Sequence, residues 1–373
     1  MAANVLLAAG GTGGHLFPAE ALAVALAKRG WHIHLATDHR VEAYGQDFPA
    51  EQIHIVPSAT ITRQPIAAGL AVCRLALGVL KARRIVKQIA PAVTVGFGGY
   101  PTVPPVLAAW SSGFPTVIHE QNGVLGRANR FLGGRATAIA TGFAVVSGAG
   151  HLAERMVMTG NPVRPAVHAA ASVAYPERQA GEVFRLLVFG GSQGARFMSD
   201  LVPPAVTALP EALRARLQIT QQCRPEDIDR VAEAYRVANV AAELEPFFRD
   251  MPERMANSHL IVSRSGASTV AELAAIGRPA IMVPLPHALD QDQKANAEIL
   301  AGAGGGWLIE QQDMTPERLA GDLADLIEDP SRLSAAAKAA RTMGRPDAVE
   351  RLADLVEKVA LHEPFDGTKG LSA

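Results

Sequence analysis

Gly10-Gly11-Thr12-Gly13-Gly14-His15 follows the apolar run Leu6-Leu7-Ala8-Ala9. Starting 180 residues later, Leu186-Leu187-Val188-Phe189 leads without a gap into Gly190-Gly191-Ser192-Gln193-Gly194. An apolar run, a glycine-rich turn and a helical pattern describe a buried parallel strand that feeds a helix N-terminus. There the unpaired backbone N–H groups and the helix dipole favour an anion, and glycines let it approach the backbone. Two such units, each opening one half of the chain, point to a phosphate ester as ligand. Neither turn is a common nucleotide fingerprint. Gly11-x-Gly13 meets Leu16 where G-x-G-x-x-G needs its third glycine, no acid closes the next strand unless Asp38 serves, and no Gly-Lys-Ser/Thr follows. Close packing of strand on helix would use the same glycines.

His15 stands at the mouth of the first turn, and an imidazole that titrates near neutrality suits a general base. A second cluster, Gly96-Phe97-Gly98-Gly99-Tyr100-Pro101, follows Val93–Val95, and a third, His119-Glu120-Gln121-Asn122, ends the run from Thr116. Ligands of open α/β sheets bind beyond the carboxyl ends of strands, where all three clusters fall. Glu120 there either reaches a ligand or braces a loop. In the second half, Ser263-Arg264-Ser265-Gly266-Ala267-Ser268-Thr269 opens a helix, with Glu272 one turn on. Small residues leave room for a ligand, and Glu272 suits sugar hydroxyls or the helix dipole. The stretch from Pro284 to Asn296 is dense in amides and carboxylates, which suits sugar recognition. Asp290-x-Asp292 also resembles the acidic pair of metal-dependent sugar transferases, but helix-opening aspartates are ordinary caps, and no metal and no cofactor is expected.

These residues need a frame. Strand-like runs fall near Val5–Ala9, Ile33–Thr37, Ile53–Val56, Ala92–Val95, Thr116–His119, Ala138–Thr141 and Met156–Thr159, then near Arg185–Phe189, Gln218–Gln221, Leu260–Ser263 and Ala280–Val283. Helical patterns alternate with them: Pro18–Arg29, Ile66–Gln88 and Thr102–Ser111, then Ala195–Leu209, Pro225–Val237, Ser268–Ile276, Asp292–Ala301, Pro316–Glu328, Ser331–Arg341 and Ala348–Leu361. This alternation reads as α/β with parallel sheets: two doubly wound, Rossmann-like domains with a cleft between them. Gly160-Asn161-Pro162-Val163-Arg164-Pro165 interrupts regular structure and marks the join.

With 373 residues, 49% of them hydrophobic, the chain has material for two packed cores. The net charge of −1 offers no global attraction to nucleic acid. Cys73 and Cys223 lack metal-ligand spacing and fit a reduced, cytoplasmic setting. The N-terminus has no signal-peptide pattern and no apolar run is long enough to span a bilayer. Residues 66–87 mix Leu70, Val72, Leu75, Leu77, Val79 and Leu80 with Arg74, Lys81, Arg83, Arg84 and Lys87. That pattern suits an anionic membrane surface or a packed helix with a solvated basic end.

Taken in series, the turns at 10–15, 96–101, 119–123, 159–164, 190–195 and 264–267 closely resemble the MurG family, the N-acetylglucosaminyltransferases of peptidoglycan precursor synthesis. The resemblance runs from residue 5 to about residue 300. It implies a GT-B fold, with an acceptor and membrane-side domain over 1–163 and a UDP-sugar donor domain over 164–345. The sequence leaves two places for the last helix, about 346–362: back on the first domain or on the second. The resemblance implies an inverting transfer from UDP-GlcNAc to the C4 hydroxyl of undecaprenyl-pyrophosphoryl-MurNAc-pentapeptide. The enzyme would sit on the cytoplasmic face of the bacterial inner membrane, with proteins of cell-wall synthesis as partners, and would serve cell shape and division.

The resemblance also implies roles residue by residue. Arg164 and the backbone near Phe248 would meet the uracil, and Ser192 and Gln193 the diphosphate. Glu272 would take the ribose hydroxyls, and Ala267, Ser268, Thr269 and Gln293 would line the diphosphate and sugar. Thr12, Gly13, Gly14, His15, Tyr100, Glu120 and Asn122 would receive the acceptor, with Thr12–Gly14 and Asn122 also near the transferred sugar. Asp292 stands where some relatives carry glutamine, and Ser268 where leucine is frequent. His15, with Glu120 as helper or alternative, is the expected base, and domain closure is expected to exclude water. The rival readings are a UDP-sugar 2-epimerase, which needs carboxylates on both sides of the donor sugar, and a non-catalytic UDP-sugar sensor.

Overall fold

The computed structural model describes residues 3–10, 13–40, 48–60, 64–179, 181–191, 195–286 and 288–365. The chain divides into two compact units, Met1–Arg164 with Pro346–Ala373, and Pro165–Arg345. The first contains β1 (Asn4–Ala8), α1 (Gly13–Lys28), β2 (His32–Thr37), β3 (Gln52–Ile55), α2 (Pro65–Ile89), β4 (Val93–Gly96), α3 (Val103–Ser111), β5 (Thr116–Glu120), α4 (Arg127–Gly133), β6 (Ala138–Thr141) and β7 (Met156–Met158). Its seven strands run parallel in the order β3-β2-β1-β4-β5-β6-β7. Helices cover both faces of a parallel sheet, so the central strands are apolar on both sides. Accordingly Val5, Leu7, Val93, Val95 and Val117 are fully buried.

The order of strands reverses between β1 and β4, and that switch point is where an open α/β sheet parts to admit a ligand. The helix after β1 begins at Gly13, five residues before the expected Pro18. Proline reads as a first-turn residue, which explains the later expectation, but here it lies inside the helix and gives up one backbone hydrogen bond. His15 therefore belongs to the first turn of α1. The long helix α2 packs along α3. Gly78 makes this approach possible: a Cβ there would stand 3.0 Å from Pro104 Cγ on α3 and 2.1 Å from the carbonyl oxygen of Pro57.

The second unit contains α5 (Pro165–Ala171), β8 (Phe184–Phe189), α6 (Arg196–Ala208), α7 (Glu211–Arg214), β9 (Leu217–Gln222), α8 (Ile228–Val237), β10 (Ala241–Glu245), α9 (Met251–Asn257), β11 (Leu260–Ser263), α10 (Ala267–Ile276), β12 (Ala280–Met282), α11 (Asp292–Gly302), β13 (Gly306–Leu308), α12 (Pro316–Glu328) and α13 (Pro330–Met343). Its six strands are parallel, in the order β10-β9-β8-β11-β12-β13. The two outermost strands, β10 and β13, and the short helices α4, α5, α7 and α9 add to the expected set. Arg278, 1% exposed, ties this unit together by donating to the carbonyls of Val173, Ala174, Ala256, Ile276 and Gly277.

The last helix, α14 (Ala348–Ala360), returns to the first unit and lies against α1 and the strands β4 to β6. Leu352, Leu355, Val356 and Val359 enter the core beneath it. Each such side chain contributes roughly 2 kcal/mol before the entropy of ordering the helix is subtracted. On its rim, Arg29 pairs with Glu350, with Asp354 at 2.7 Å and with Glu357 at 2.7 Å, and the Trp31 indole donates to Glu357.

Candidate active site

In the first unit, β1, β4 and β5 lie side by side, and their carboxyl ends gather the three expected clusters. The His15 ring rests against the loop after β4. A Cβ on Gly98 would lie 3.5 Å from His15 Cε1, and one on Gly99 would lie 3.3 Å from His15 Nε2. Both glycines hold positive φ, +86° and +73°, so glycine serves this loop twice, for conformation and for clearance. From the end of β5, Gln121 reaches across: its Nε2 donates to the Phe97 carbonyl at 3.1 Å, and its Oε1 lies 3.2 Å from His15 Nδ1. Burial depresses the His15 pKa below the ordinary histidine value. Glu120, Gln121 and the Phe97 carbonyl oppose that depression, whereas Arg40 adds to it.

Glu120, 2% exposed, is saturated. Its Oε1 accepts from the backbone and side-chain N–H groups of Asn122, at 3.0 and 3.1 Å. Its Oε2 accepts from the Gly126 N–H and the Asn129 amide, both at 2.9 Å. Four donors hold this carboxylate as a brace for the loop that leads into α4, so it acts on His15 through its charge. The neighbouring His119 is fully buried, with Nε2 3.1 Å from the Gly160 carbonyl. Burial pushes its pKa down to about 4, which keeps the ring neutral. Asp38 is taken up by Arg40, whose backbone N–H and guanidinium both donate to it. Burial pushes Asp38 up, but the hydrogen bonds from Arg40 outweigh it and hold the carboxyl below its usual range.

The remaining acceptor residues sit nearby. Gly13 and Gly14 open α1, and Tyr100 starts a 3₁₀ turn directly after Gly99. Thr12 lies outside the described residues. Arg164 is the last residue of the first unit, and its guanidinium stacks 4.7 Å from the Phe17 ring centre.

In the second unit, β8 and β11 are neighbours across the corresponding reversal. Gly190 closes the turn after β8, where a Cβ would meet the Ala195 backbone nitrogen at 2.3 Å. Ser192 and Gln193 lie outside the described residues. Beyond β11, Arg264 is 7% exposed and donates to the carbonyls of Val283 and Pro284 and to Gln311 Oε1. Ser265 Oγ donates to the Gln293 carbonyl, and the Asn296 amide donates to the Ser265 carbonyl. These bonds tie the start of α11 to the N-terminus of α10, where Ala267, Ser268 and Thr269 occupy the first turn and Glu272 lies further along. Asp290 and Gln291, immediately before α11, both adopt left-handed backbone conformations, φ 65° and 53°. Two consecutive non-glycine residues held this way mark a strained loop of the kind that shapes ligand sites. The Gln293 carboxamide oxygen accepts from the Leu285 N–H at 3.0 Å, which leaves its NH₂ end to donate. Phe248 is 4% exposed beneath the Arg254 guanidinium, 4.2 Å from its ring centre.

The sequence reading gives no role to Gln121, Asn129, Arg264, Ser265 or Asn296. Gln121, Arg264 and Ser265 stood inside recognised clusters and could have been found from them. Asn296, 0% exposed, closes the amide-rich stretch from Pro284 and could have been found there, whereas Asn129, 3% exposed, lies within a helix and carries no local signal.

Residues 5–141 match the glycosyltransferase family 28 N-terminal domain and residues 185–352 the family 28 C-terminal domain. Two curated relatives share the name UDP-N-acetylglucosamine–N-acetylmuramyl-(pentapeptide) pyrophosphoryl-undecaprenol N-acetylglucosamine transferase. The protein from Methylobacterium nodulans is 58% identical over 361 residues, 96% of this chain and 97% of its own. That from Rhodopseudomonas palustris is 56% identical over 363 residues, 95% of this chain and 98% of its own. Among solved structures, MurG of Acinetobacter baumannii aligns with a TM-score of 0.77 and 31% identity, covering 95% of this chain and 99% of that one. A UDP-GlcNAc 2-epimerase from Neisseria meningitidis aligns with a TM-score of 0.67 at 14% identity over 96% of this chain and 100% of that one, a likeness of fold alone.

Proposed function

The chain belongs to the MurG family within glycosyltransferase family 28, and on that premise we propose its reaction. It transfers N-acetylglucosamine from UDP-N-acetylglucosamine to the C4 hydroxyl of the muramoyl sugar on undecaprenyl-pyrophosphoryl-MurNAc-pentapeptide, in peptidoglycan synthesis. The observation that supports the residue assignment best is the His15 ring, held at the switch point of the first sheet with its pKa depressed by burial. A sugar hydroxyl is a very weak acid and attacks an anomeric carbon only if a base takes its proton as the bond forms. A neutral imidazole at that position suits the task.

As the hydroxyl oxygen bonds to C1 with inversion, the C1–O bond to UDP breaks and its electron pair stays on the β-phosphate. Backbone N–H groups after β8, with Ser192, and the N-terminus of α10 meet that charge. Glu272 takes the ribose hydroxyls and Gln293 donates to the sugar. Tyr100, Gly13, Gly14 and Asn122 position the acceptor, and Glu120 holds the loop that carries Asn122.

The acceptor is lipid-borne, and α2 is suited to reach it. Leu70, Val72, Leu77 and Leu80 are 55–68% exposed on this helix, among exposed Arg74, Lys81, Arg84 and Lys87. The adjoining α3 carries exposed Trp110, whose ring and that of Phe131 flank the Arg135 guanidinium. No helix among the described residues is long and apolar enough to cross a membrane. The reading is peripheral docking on the anionic cytoplasmic face of the inner membrane, beside other proteins of cell-wall synthesis.

The test is UDP release from UDP-GlcNAc, with and without a synthetic lipid-pyrophosphoryl-MurNAc-peptide. Acceptor-dependent release is expected, and His15→Ala is expected to lower kcat on the order of 10²-fold or more with donor affinity retained. Conversion of the donor without acceptor would replace this reading with an epimerase, and binding with no turnover would replace it with a sensor.

A further inference from the structure

We propose that Gln121 is a positioning residue for the catalytic base: its carboxamide fixes the His15 imidazole in the Nδ1–H tautomer and leaves the Nε2 lone pair for the acceptor hydroxyl. This rests on His15 being the base. A backbone carbonyl only accepts, so the Gln121 NH₂ must face the Phe97 carbonyl, 3.1 Å away. Reversing the amide would set two oxygens against each other. The other end, Oε1, therefore faces His15 Nδ1 at 3.2 Å, and an amide oxygen also only accepts. Nδ1 carries the hydrogen. A neutral imidazole has one N–H, so its lone pair is on Nε2.

The loop after β4 meets the Nε2 edge with glycines alone. Gly98 and Gly99 approach Cε1, Cδ2 and Nε2 with no side chain, and any Cβ at Gly99 would crowd Nε2 at 3.3 Å. Gln121 is 4% exposed, so the relay from Phe97 through Gln121 to His15 is shielded from competing water. In the transfer the acceptor O–H proton moves to Nε2, the oxygen bonds to C1, and the electron pair of the breaking C1–O bond leaves on UDP. The imidazolium so formed keeps its Nδ1–H bond to Gln121 Oε1. Among the described residues the charged groups acting on the ring are Glu120, which favours the imidazolium, and Arg40, which opposes it, while His119 beside it stays neutral.

Imidazole ¹⁵N shifts of the full chain, with His15 assigned by its loss in His15→Gln, read the tautomer without any turnover. The expected wild-type spectrum has a protonated Nδ1 and a bare Nε2. In Gln121→Met the population moves toward Nε2–H, and kcat falls on the order of 10-fold to 100-fold while the UDP-GlcNAc KM stays within about twofold. Gln121→Glu sets a carboxylate beside Nδ1 and shifts the acid limb of the kcat profile up by about one unit or more, with activity recovering at higher pH. A purely structural role would lower thermal stability and kcat together and leave the limb in place. A wild-type Nε2–H tautomer, or an unchanged kcat in Gln121→Met, overturns the proposal. Unchanged kcat in His15→Ala overturns instead the base assignment beneath it.

Discussion

Acid should loosen the second unit through one buried ring. His259 is 2% exposed, accepts the Arg185 N–H on Nδ1 at 2.8 Å and packs 5.6 Å from the Phe184 ring. Burial, reinforced by Arg185, Arg178 and Arg278, pushes its pKa down to about 4. The folded unit therefore prefers the neutral ring, whereas the unfolded chain takes a proton near pH 6.5. Stability from this site is complete above about 6.5 and is lost as pH falls from there toward about 4. Between pH 7 and pH 5 the loss comes to about 2 kcal/mol, or about 30-fold in protection of the β8 and β11 amides. Hydrogen exchange, corrected for intrinsic rates, measures it. His259→Asn keeps an acceptor for the Arg185 N–H but cannot titrate. It should cost about 1 kcal/mol at pH 7 through the lost ring contact and flatten the pH dependence. If the variant lost as much protection as wild type between pH 7 and pH 5, His259 would not be the source and the linkage argument would fail.

Three more outcomes follow from packing and hydrogen bonding. Arg278→Met strips five carbonyls of their donor and should lower the urea stability of the second unit by about 3 kcal/mol; a change under about 0.5 would refute its bracing role. Gly78→Ala sets a methyl 2.1 Å from the Pro57 carbonyl and should cost about 2 kcal/mol, whereas Gly69→Ala on the same helix meets nothing within 4 Å and should gain about 0.5 kcal/mol, both read from thermal unfolding. Glu120→Gln presents an NH₂ to at least one of its four donors and removes the charge that raises the His15 pKa. Melting temperature should fall, and the acid limb of kcat should move to lower pH; an upward move would contradict the assigned electrostatics.

What the residues alone determined is the repeating frame and the places where chemistry collects. Apolar runs such as Leu186–Phe189 must be buried, and the glycine turn after each suits either a ligand or close strand-on-helix packing, because both requirements are local to a few residues. Two strands lack a strong local pattern. β10, Ala-Ala-Glu-Leu-Glu, is largely exposed at one sheet edge, and β13 is three residues at the other, so neither shows the apolar run of a central strand. Tertiary structure alone decided the partners. His15 and Gln121 are 106 residues apart and meet because β1, β4 and β5 are neighbours in the sheet. Glu120, by contrast, is saturated from within its own segment, by Asn122, Gly126 and Asn129 of the loop and helix that follow β5, a brace where the residue type alone also allowed a base. The helix α14 is amphipathic by sequence, but its burial against α1 depends on a complementary surface nearly the whole chain away. Periodicity reports which face of an element is buried; which donor meets which acceptor depends on the register and order of strands, and those are fixed only when the whole unit packs.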